Sequence, residues 1–388
     1  MRIAVLGDFD GAHTRRWLRV FVERGHDVHA ISYYRARLEL PGVTLHVLSG
    51  AEAPSSATGV SDGSAASRMK SALPPSLLRL VNVLRYRRAG LARELASIAP
   101  DVFHAHYAVE HGFYGALSGF HPYVVSAWGS DLLVESYTPL GRLIAHFALH
   151  HADLVTANDP AMARRAVTLG ASDVQVVRLG VDALFFEGAP SVNLEAPAGP
   201  PTMVSDRALE PLYNVDVVLR AFARLRARLP EARLLVAGDG SERTRLESLA
   251  GELGLGDAVR FLGRLEPAAL RDALVSAHVY VSVPSSDSLA LSTMEAMAVG
   301  AFPVVSDLPT QDGWVESERT GLRVPARNVE ALSEALERAL TDDALRRNAI
   351  APNRAKVEAE GNLERNMLAM ERAYYRLAGR PVADEAPI

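Results

Sequence analysis

The sequence predicts an α/β protein with two doubly wound, parallel-sheet domains. Short apolar runs alternate with amphipathic stretches along most of the chain, as is typical of parallel strands joined by right-handed helical crossovers. The alternation forms two series, and a segment rich in Pro, Gly and Ala, residues 185–201, separates them. Ligands of such sheets bind beyond the carboxyl ends of the strands, so we expect two facing domains with a deep cleft as the binding site.

The first series gives a predicted amino-terminal domain over residues 1–183. The apolar run "RIAVLGD" predicts a strand, and in the following "TRRWLRVFVERGH" Trp17 and Phe21 have helical spacing. Further strands are predicted in chain order at "DVHAISY", "DVFHAHY", "YVVSAWG", "ADLVTAN" and "VQVVRLG".

The second series begins after a linker at residues 184–201 and gives a predicted domain over residues 202–365. Its strands are predicted at "TMVSD", "ARLLVAGDG", "AVRFLG", "HVYVSVPS" and "FPVVSD", with a helical stretch after each of the first four. The chain then ends in a charged segment of helical pattern.

Composition places the chain among ordinary globular proteins and excludes several classes. The 388 residues carry a net charge of −5, which argues against a general nucleic-acid binder. There is no cysteine, so disulfides and thiolate metal sites are excluded. No apolar run reaches the roughly 18 residues of a membrane span, and we expect a cytoplasmic protein. Only Lys70 and Lys356 are lysines, so arginines must make almost every cationic contact.

The stretch "SSDSLALSTMEAMAVG", residues 285–300, places two acids eight residues apart around a predicted helix start. One interpretation is structural: Ser292 is the N-cap, and Glu295 completes a Ser-x-x-Glu capping box. The other is functional: the N–H groups near Leu291 and Ser292 bind a phosphate, while Glu295 and Asp287 hold the hydroxyls of a ribose and a hexose. The residues alone leave both interpretations open.

The same stretch resembles the donor-site motif of retaining glycosyltransferases of the GT-B fold, family 4, also called group 1. That motif is an acid, seven residues and then Glu-Ala, with Asp287 at a first position that is usually Glu. The resemblance extends over nearly the whole chain through "RGHDVHAIS", "DVFHAHYA", "AWGSDLL", "AGDGSE", "VRFLGRL" and "TGLRVPARNVEAL". It implies a GT-B fold whose last helix, within residues 366–388, packs back on the amino-terminal domain.

The resemblance also implies a set of donor-binding residues. Glu295 would hold the ribose, Asp287 the sugar hydroxyls, and the N–H groups of Leu291 and Ser292 the diphosphate. Gly238 would let the backbone approach the nucleotide, and the base would be held by main-chain contacts of Arg260, Phe261 and Leu262.

The chain departs from the family pattern at the diphosphate. The family supplies an Arg and a Lys, and here Arg207 is present but Tyr213 stands near the Lys position. Stabilisation of the leaving group would rest on Arg207 and the helix start, with a hydroxyl from Tyr213 and Arg264 as a second cation. The alternative for Arg207 is a surface arginine.

A second departure concerns "WGSD", where many members have His-Gly-x-Asp. Trp128 replaces the histidine, and an indole cannot titrate. It can stack on a sugar, or it is a core aromatic. Asp131 remains and is expected to bind acceptor or donor hydroxyls.

Three further residues are predicted at the acceptor or donor side. Gly11 permits close backbone approach to a ligand, His13 would contact acceptor or phosphate, and His106 ends a strand and would line the cleft or pack internally. Asp8 and Asp10 have metal-binding spacing, but such a pair is common by chance and no metal or other cofactor is expected.

The resemblance implies retaining transfer of a hexosyl unit from a nucleotide-sugar to an acceptor hydroxyl by same-face substitution. The acceptor would be a lipid-linked, polysaccharide or small-molecule glycoside. The basic residues 66–93 leave two interpretations open: peripheral contact with an anionic membrane, and a helix packed on the sheet with a solvated basic side. Two alternatives stay open: a nucleotide-sugar epimerase of the same fold, and a non-catalytic nucleotide-sugar-binding protein.

Overall fold

The computed structural model describes residues 1–33, 41–48, 88–187, 199–287 and 291–381. The chain divides into two compact units, one of Met1–Val177 with Ala369–Ile388 and one of Arg178–Leu368. The division after Val177 comes earlier than the predicted end of the first domain at residue 183. The reason is that Phe185 is fully buried in the core of the second unit, and the N–H of Val181 donates to the carbonyl of Gly361, 2.6 Å away.

The first unit contains a seven-stranded sheet in which every strand is parallel to its neighbours, in the order β3-β2-β1-β4-β5-β6-β7. The strands are β1 (Arg2–Leu6), β2 (Asp27–Ser32), β3 (Val43–Val47), β4 (Val102–His106), β5 (Tyr123–Ala127), β6 (Leu154–Ala157) and β7 (Val174–Val176). The helices are α1 (Ala12–Glu23), α2 (88–98), α3 (Phe113–Ser118), α4 (Ser130–Leu133), α5 (Pro139–His150) and α6 (Pro160–Thr168).

The second unit contains a six-stranded parallel sheet in the order β10-β9-β8-β11-β12-β13. Its strands are β8 (Thr202–Ser205), β9 (Arg233–Ala237), β10 (Val259–Gly263), β11 (Val279–Ser282), β12 (Phe302–Ser306) and β13 (Leu322–Val324). Its helices are α7 (Val215–Arg226), α8 (Arg243–Glu252), α9 (Pro267–Val275), α10 (Leu291–Val299), α11 (Val329–Thr341) and α12 (Asp343–Glu360), and α13 (Leu363–Leu377) runs across the division of the chain.

The central strands of both sheets are buried apolar runs, and this is why the sequence identified them. All five residues of β4, β5 and β12 are buried, as expected for strands covered by helices on both faces. Apolar side chains of the helices pack against the strands in each core, for example Phe222 of α7 in the second unit.

The end of α13 belongs to the first unit. The hydroxyl of Tyr374 lies 2.5 Å from His104 Nδ1 and accepts from the indole N–H of Trp17 at 3.3 Å. Glu371 pairs with Arg24 at 2.6 Å and with His26 at 2.5 Å. This segment therefore completes the core of the unit that the amino terminus begins.

Two strands escaped the sequence-based prediction, β3 and β13. Each is the edge strand of its sheet. Strand β3 is largely exposed, and β13 has only three residues. The predicted basic membrane segment lies mostly outside the described residues, and its end, residues 88–93, is part of α2. Within the described ranges, no helix has the length and apolar character needed to cross a membrane.

Candidate functional site

The strand order places one candidate site in each unit. In both sheets the connections run in opposite directions from two adjacent central strands, β1 and β4 in the first unit and β8 and β11 in the second. Ligands of doubly wound sheets bind at this switch point, beyond the carboxyl ends of the strands. In the first unit, Gly11 lies in the loop after β1 and His106 is the last residue of β4. In the second unit, Arg207 follows β8 and Asp287 follows β11.

Arg207 is held by three groups in the second unit. Its Nη2 atom donates to Asp287 Oδ2 at 2.6 Å, and its Nη1 atom donates to Ser292 Oγ at 3.0 Å. The guanidinium carbon lies 4.3 Å above the centre of the Tyr213 ring, a cation–π contact. With side-chain exposures of 11% and 16%, Arg207 and Asp287 form a largely buried ion pair, so Arg207 is not a surface arginine.

Asp206, directly before Arg207, adds a second carboxyl that no sequence motif singled out. Its Oδ1 atom is buried without a hydrogen-bond partner among the described residues. Burial raises the pKa of Asp206, and the charge of Arg207 and hydrogen bonds to Tyr280 and Ser292 oppose that shift. Burial likewise disfavours the charged guanidinium, but four neighbouring groups together outweigh it, and the pKa of Arg207 is raised. These groups are Asp287, Tyr280, Tyr213 and Asp206.

Helix α10 carries the remainder of the predicted donor motif. Ser292 is its second residue rather than its N-cap, and the Ser292 hydroxyl is engaged by Arg207 and, at 2.7 Å, by Tyr280. The capping-box interpretation was therefore wrong, because the Ser292 side chain serves the ion pair instead of the helix end. Glu295 is only 4% exposed, on a helix buried from Thr293 to Ala298.

Gly238 is required by the fold itself. Its φ is +152°, and a Cβ there would lie 2.3 Å from the carbonyl oxygen of Arg207. Glycine at this position lets the chain after β9 pack on the backbone of Arg207. The approach of a nucleotide to Gly238 stays a prediction. The Gly238 N–H also donates to the carbonyl of Gly263 at 2.7 Å, which joins the ends of β9 and β10.

The predicted base-binding residues lie on β10, at one edge of the sheet. Arg260 is exposed, whereas Phe261 and Leu262 are half-buried where the pairing with β9 shifts register. Arg264 follows this strand and is exposed. Because β9 separates β10 from β8, Arg264 is two strands away from the strand that carries Arg207.

In the first unit, the loop after β1 is a turn closed on itself. The N–H of Asp10 donates to Asp8 Oδ1 at 3.0 Å, and Gly11 is the N-cap of α1. Gly11 has a φ of −71°, and a Cβ there would make only ordinary contact with the carbonyl oxygen of Asp8. The described residues contain no group of three or more His, Asp or Glu side chains placed to hold a metal ion.

An aromatic cluster lies at the carboxyl end of β4 and β5. The exposed ring of His13 stacks on Trp128 with centroids 5.6 Å apart, and Trp128 meets Trp17 and His106 edge to face. His106 is only 2% exposed, so it supports Trp128 from behind and does not line a surface. Burial, followed by the neighbouring histidines, holds the pKa of His106 well below its usual range, so this ring is neutral.

Asp131 has a structural role in this unit. It is fully buried, and its carboxylate accepts backbone N–H groups of Ala108 at 2.8 Å, Gly129 at 2.9 Å, Leu132 at 3.0 Å and Trp128 at 3.2 Å. Burial raises the pKa of Asp131, and these donors partly offset the shift. The expected contact with sugar hydroxyls is corrected accordingly: the carboxylate positions the loop that carries Trp128.

Comparison with known proteins matches both parts of the chain to glycosyltransferase domains. Residues 187–356 match the model described as glycosyl transferases group 1, and residues 2–159 match the model described as glycosyl transferase 4-like. Each match covers most of one of the two domains that the sequence predicts. The two parallel-sheet units of the chain are those of a GT-B glycosyltransferase, as the sequence predicted.

Relatives and solved structures agree with this assignment. A phosphatidyl-myo-inositol mannosyltransferase of Mycolicibacterium smegmatis is 31% identical over 51% of this chain and 50% of its own length. A sucrose-phosphate synthase from Thermosynechococcus elongatus has a TM-score of 0.75, 20% identity and coverage of 98% and 99% of the two chains. Anabaena Alr3699/HepE in complex with UDP has a TM-score of 0.74, 15% identity and coverage of 97% and 100%. The chain spans 16% to 61% of the length of three curated relatives that it matches.

Tyr213 is the most informative departure of this chain from the family pattern. Its ring face is occupied by Arg207, so the residue near the lysine position holds the remaining cation in place. The flanking backbone fixes the ring: Ser285 N–H donates to the carbonyl of Leu212 at 2.9 Å, and the Asn214 amide donates to Ser285 Oγ at 2.9 Å. No sequence pattern signals such a stack.

Tyr107 is another residue that sequence reasoning missed. It has a φ of +78°, directly after β4, and its hydroxyl hydrogen-bonds to Glu135 and, at 2.9 Å, to Ser130. A positive φ is uncommon for a bulky residue and is found where the surrounding structure demands it. Tyr107 thus ties the end of β4 to the segment that follows Trp128.

Proposed function

We propose that this chain is a retaining hexosyltransferase that takes its sugar from a UDP- or GDP-linked donor. The observation that carries the proposal is the buried guanidinium of Arg207, held between Asp287, Ser292 and the Tyr213 ring at the switch point of the second sheet. A fixed cation at this position suits the charge that develops on a departing diphosphate.

The donor would be held from three directions in the second unit. The buried carboxylate of Glu295 accepts the ribose hydroxyls, and the N–H groups of Leu291 and Ser292 at the start of α10 meet the diphosphate. Asp287, held in place by its ion pair with Arg207, contacts the hexose hydroxyls. Asp287 and Arg207 then act as one unit, because moving either carboxylate or guanidinium moves the other.

The chemistry we infer is a same-face substitution without an enzymatic base. The bond from the anomeric carbon to the phosphate oxygen breaks, the acceptor oxygen bonds that carbon, and the acceptor proton passes to the departing phosphate. His106 is neutral, buried and behind Trp128, and an indole does not titrate, which favours a scheme in which the leaving group takes the proton.

The acceptor residues that we propose lie in the first unit. The exposed His13 and the half-buried Trp128 form a stacked pair on which a sugar ring or other flat, apolar face of an acceptor can rest. Gly11 contributes backbone at the start of α1. No step of the scheme needs a metal ion.

The proposal is tested by the release of nucleoside diphosphate from a panel of UDP- and GDP-sugars, with and without glycoside and lipid-linked acceptors. We expect release that requires an acceptor and yields a product with the anomeric configuration of the donor. Interconversion of the sugar without transfer would show an epimerase, and saturable binding without turnover under any acceptor would show a non-catalytic binding protein.

Glu295→Gln is expected to weaken UDP binding by about tenfold, because an amide replaces a carboxylate that accepts two hydroxyls. Isothermal titration with UDP and with 2′,3′-dideoxy-UDP separates the ribose contact from any general damage. The variant should lose affinity for UDP and bind the dideoxy analogue as the unchanged protein does. Glu252→Gln, at the exposed end of α8, is the matched control. An equal loss for both nucleotides would refute the ribose assignment.

Tyr213→Phe is expected to retain kcat/KM within about twofold, whereas Tyr213→Ala should lower it by about fivefold, the scale of one cation–π contact. The Tyr213 ring, not its hydroxyl, contacts Arg207, so removal of the ring leaves the guanidinium less well oriented. Steady-state kinetics of the two variants decide between ring and hydroxyl. A Phe variant as impaired as the Ala variant would show that the hydroxyl acts on the donor, as first predicted.

A further inference from the structure

Three of the most exposed large apolar side chains in the described residues occur within seven positions of the first unit. Tyr137 is 69% exposed, Leu140 67% and Leu143 65%, and Val134 nearby is 46% exposed. We call Val134, Tyr137, Leu140 and Leu143 the apolar ledge. Single exposed apolar residues are ordinary, but a contiguous group marks an interaction surface.

The geometry of α5 directs Leu143 of the ledge away from the core. On α5, Leu143 lies two residues from each of the buried Gly141 and Ala145, and two residues on a helix are about 200° apart. Leu143 therefore points almost opposite to the packed face. Its exposure is set by helix geometry, not by the choice of one side-chain rotamer.

The ledge is also rigid. Thr138 caps α5 by accepting the Gly141 N–H at 3.0 Å, and a Cβ on Gly141 would lie 2.1 Å from the carbonyl oxygen of Glu135, so the two segments touch. Arg165 donates to the carbonyl of Ser136 at 3.1 Å and lies 4.4 Å over the Tyr137 ring. A surface that is already ordered loses little conformational entropy on docking.

The exposed charge around the ledge is basic, because Glu135, the acid within this segment of the sequence, is half-buried and accepts a hydrogen bond from the Tyr107 hydroxyl. No acid occurs from Ser136 to Ala152, while Arg142 lies between the two leucines in sequence and is exposed. Arg164, exposed on α6, adds a second cation beside Arg165. Leucine and tyrosine rimmed by arginine is the composition of segments that lie at the interface of an anionic bilayer.

We propose that the apolar ledge docks this protein on an anionic lipid bilayer, with the two leucines in the acyl boundary and Arg142 at the headgroups. A second copy of the chain fits less well, because a two-fold contact would bring two surfaces of the same, basic charge together. In sequence, the ledge residues are distinct from residues 66–93.

The ledge lies on the side of the first unit that carries Trp128. Strand β5 ends at Ala127, and the chain passes through Trp128 and the ledge to enter α5. A bilayer at the ledge would present membrane-borne molecules to the same edge of the sheet. This consequence, a lipid-borne acceptor, rests on the proposed function, whereas the docking itself does not.

Co-sedimentation of the full chain with phosphatidylcholine vesicles, with and without phosphatidylglycerol, tests the docking. We expect binding to the anionic vesicles that Leu140→Gln/Leu143→Gln weakens by about tenfold or more. Arg142→Gln should weaken it by about fivefold and reduce its dependence on salt. Val275→Gln and Arg220→Gln, exposed positions of the second unit, are matched controls that should bind like the unchanged protein.

Because all these positions are exposed, the variants are expected to fold, and circular dichroism confirms it. Docking through the ledge is overturned if the unchanged protein does not bind anionic vesicles, or if the double leucine variant binds them equally well. It is also overturned if light scattering finds a dimer that this variant converts to a monomer. Vesicle binding requires no turnover, so its failure and the failure of the transferase proposal are distinguishable.

Discussion

Arg207→Ala is expected to lower kcat by about two to three orders of magnitude at saturating donor. Arg207 is the buried cation of the donor motif, and Tyr213 stands near the position where relatives have a lysine, so this side chain supplies no second positive charge. A fixed donor directed at a developing oxyanion contributes most in the transition state, so kcat should fall more than donor affinity. Measuring kcat with the donor identified by nucleotide release, together with the Kd of UDP, checks this.

The stability of the variant separates catalysis from folding. Removing only Arg207 leaves Asp287 without its partner and Asp206 without the charge that stabilises its ionised form, so we expect a lower melting temperature. The double change Arg207→Ala/Asp287→Ala should recover stability, since neither half of the pair stays buried alone, but not activity. Arg220→Ala on the exposed face of α7 is the matched control. Full activity in the stable double variant would refute the role of Arg207.

The sequence could predict the strands and helices that form both cores because these elements are long apolar runs or have clear helical period. Strand β3 could have been predicted, because VTLHV alternates apolar and polar residues, whereas β13 is too short for alternation to be recognised. Both are held by pairing to a neighbouring strand, Val43 to Val28 and Leu322 to Val304, and such pairing is a property of the folded sheet.

The sequence could predict which residues belong to the candidate site, but not which of them contact one another. The spacing of Asp287 and Glu295 singled out the motif, yet nothing in it indicates that Asp287 binds Arg207, which lies 80 positions earlier in the chain. The capping-box alternative for Ser292 followed from the pattern Ser-x-x-Glu alone, whereas the Ser292 hydroxyl is engaged by Arg207 and Tyr280. Long-range polar contacts of this kind have no local periodicity, so no sequence window contains them.

Asp131→Ala is expected to lower the free energy of unfolding by about 3 kcal/mol or more, the largest stability effect among these changes. One buried carboxylate is the acceptor for the N–H groups of Ala108, Trp128, Gly129 and Leu132, and alanine would leave these donors without it. Equilibrium denaturation in urea, followed by tryptophan fluorescence, measures the change.

The comparison with Asp131→Asn tests the mechanism of that loss. Asparagine retains one acceptor oxygen for Gly129 and Leu132 but turns an NH2 group towards a second N–H, that of Ala108, so we expect a smaller yet clear destabilisation. Glu23→Ala, an exposed acid at the end of α1, should change stability by less than about 0.5 kcal/mol. If Asp131 instead contacted substrate hydroxyls, its alanine variant would unfold like the Glu23 variant and lose only activity. The four donors at 2.8 to 3.2 Å favour the structural outcome, because a carboxylate so fully engaged has no lone pair directed at solvent to offer a sugar.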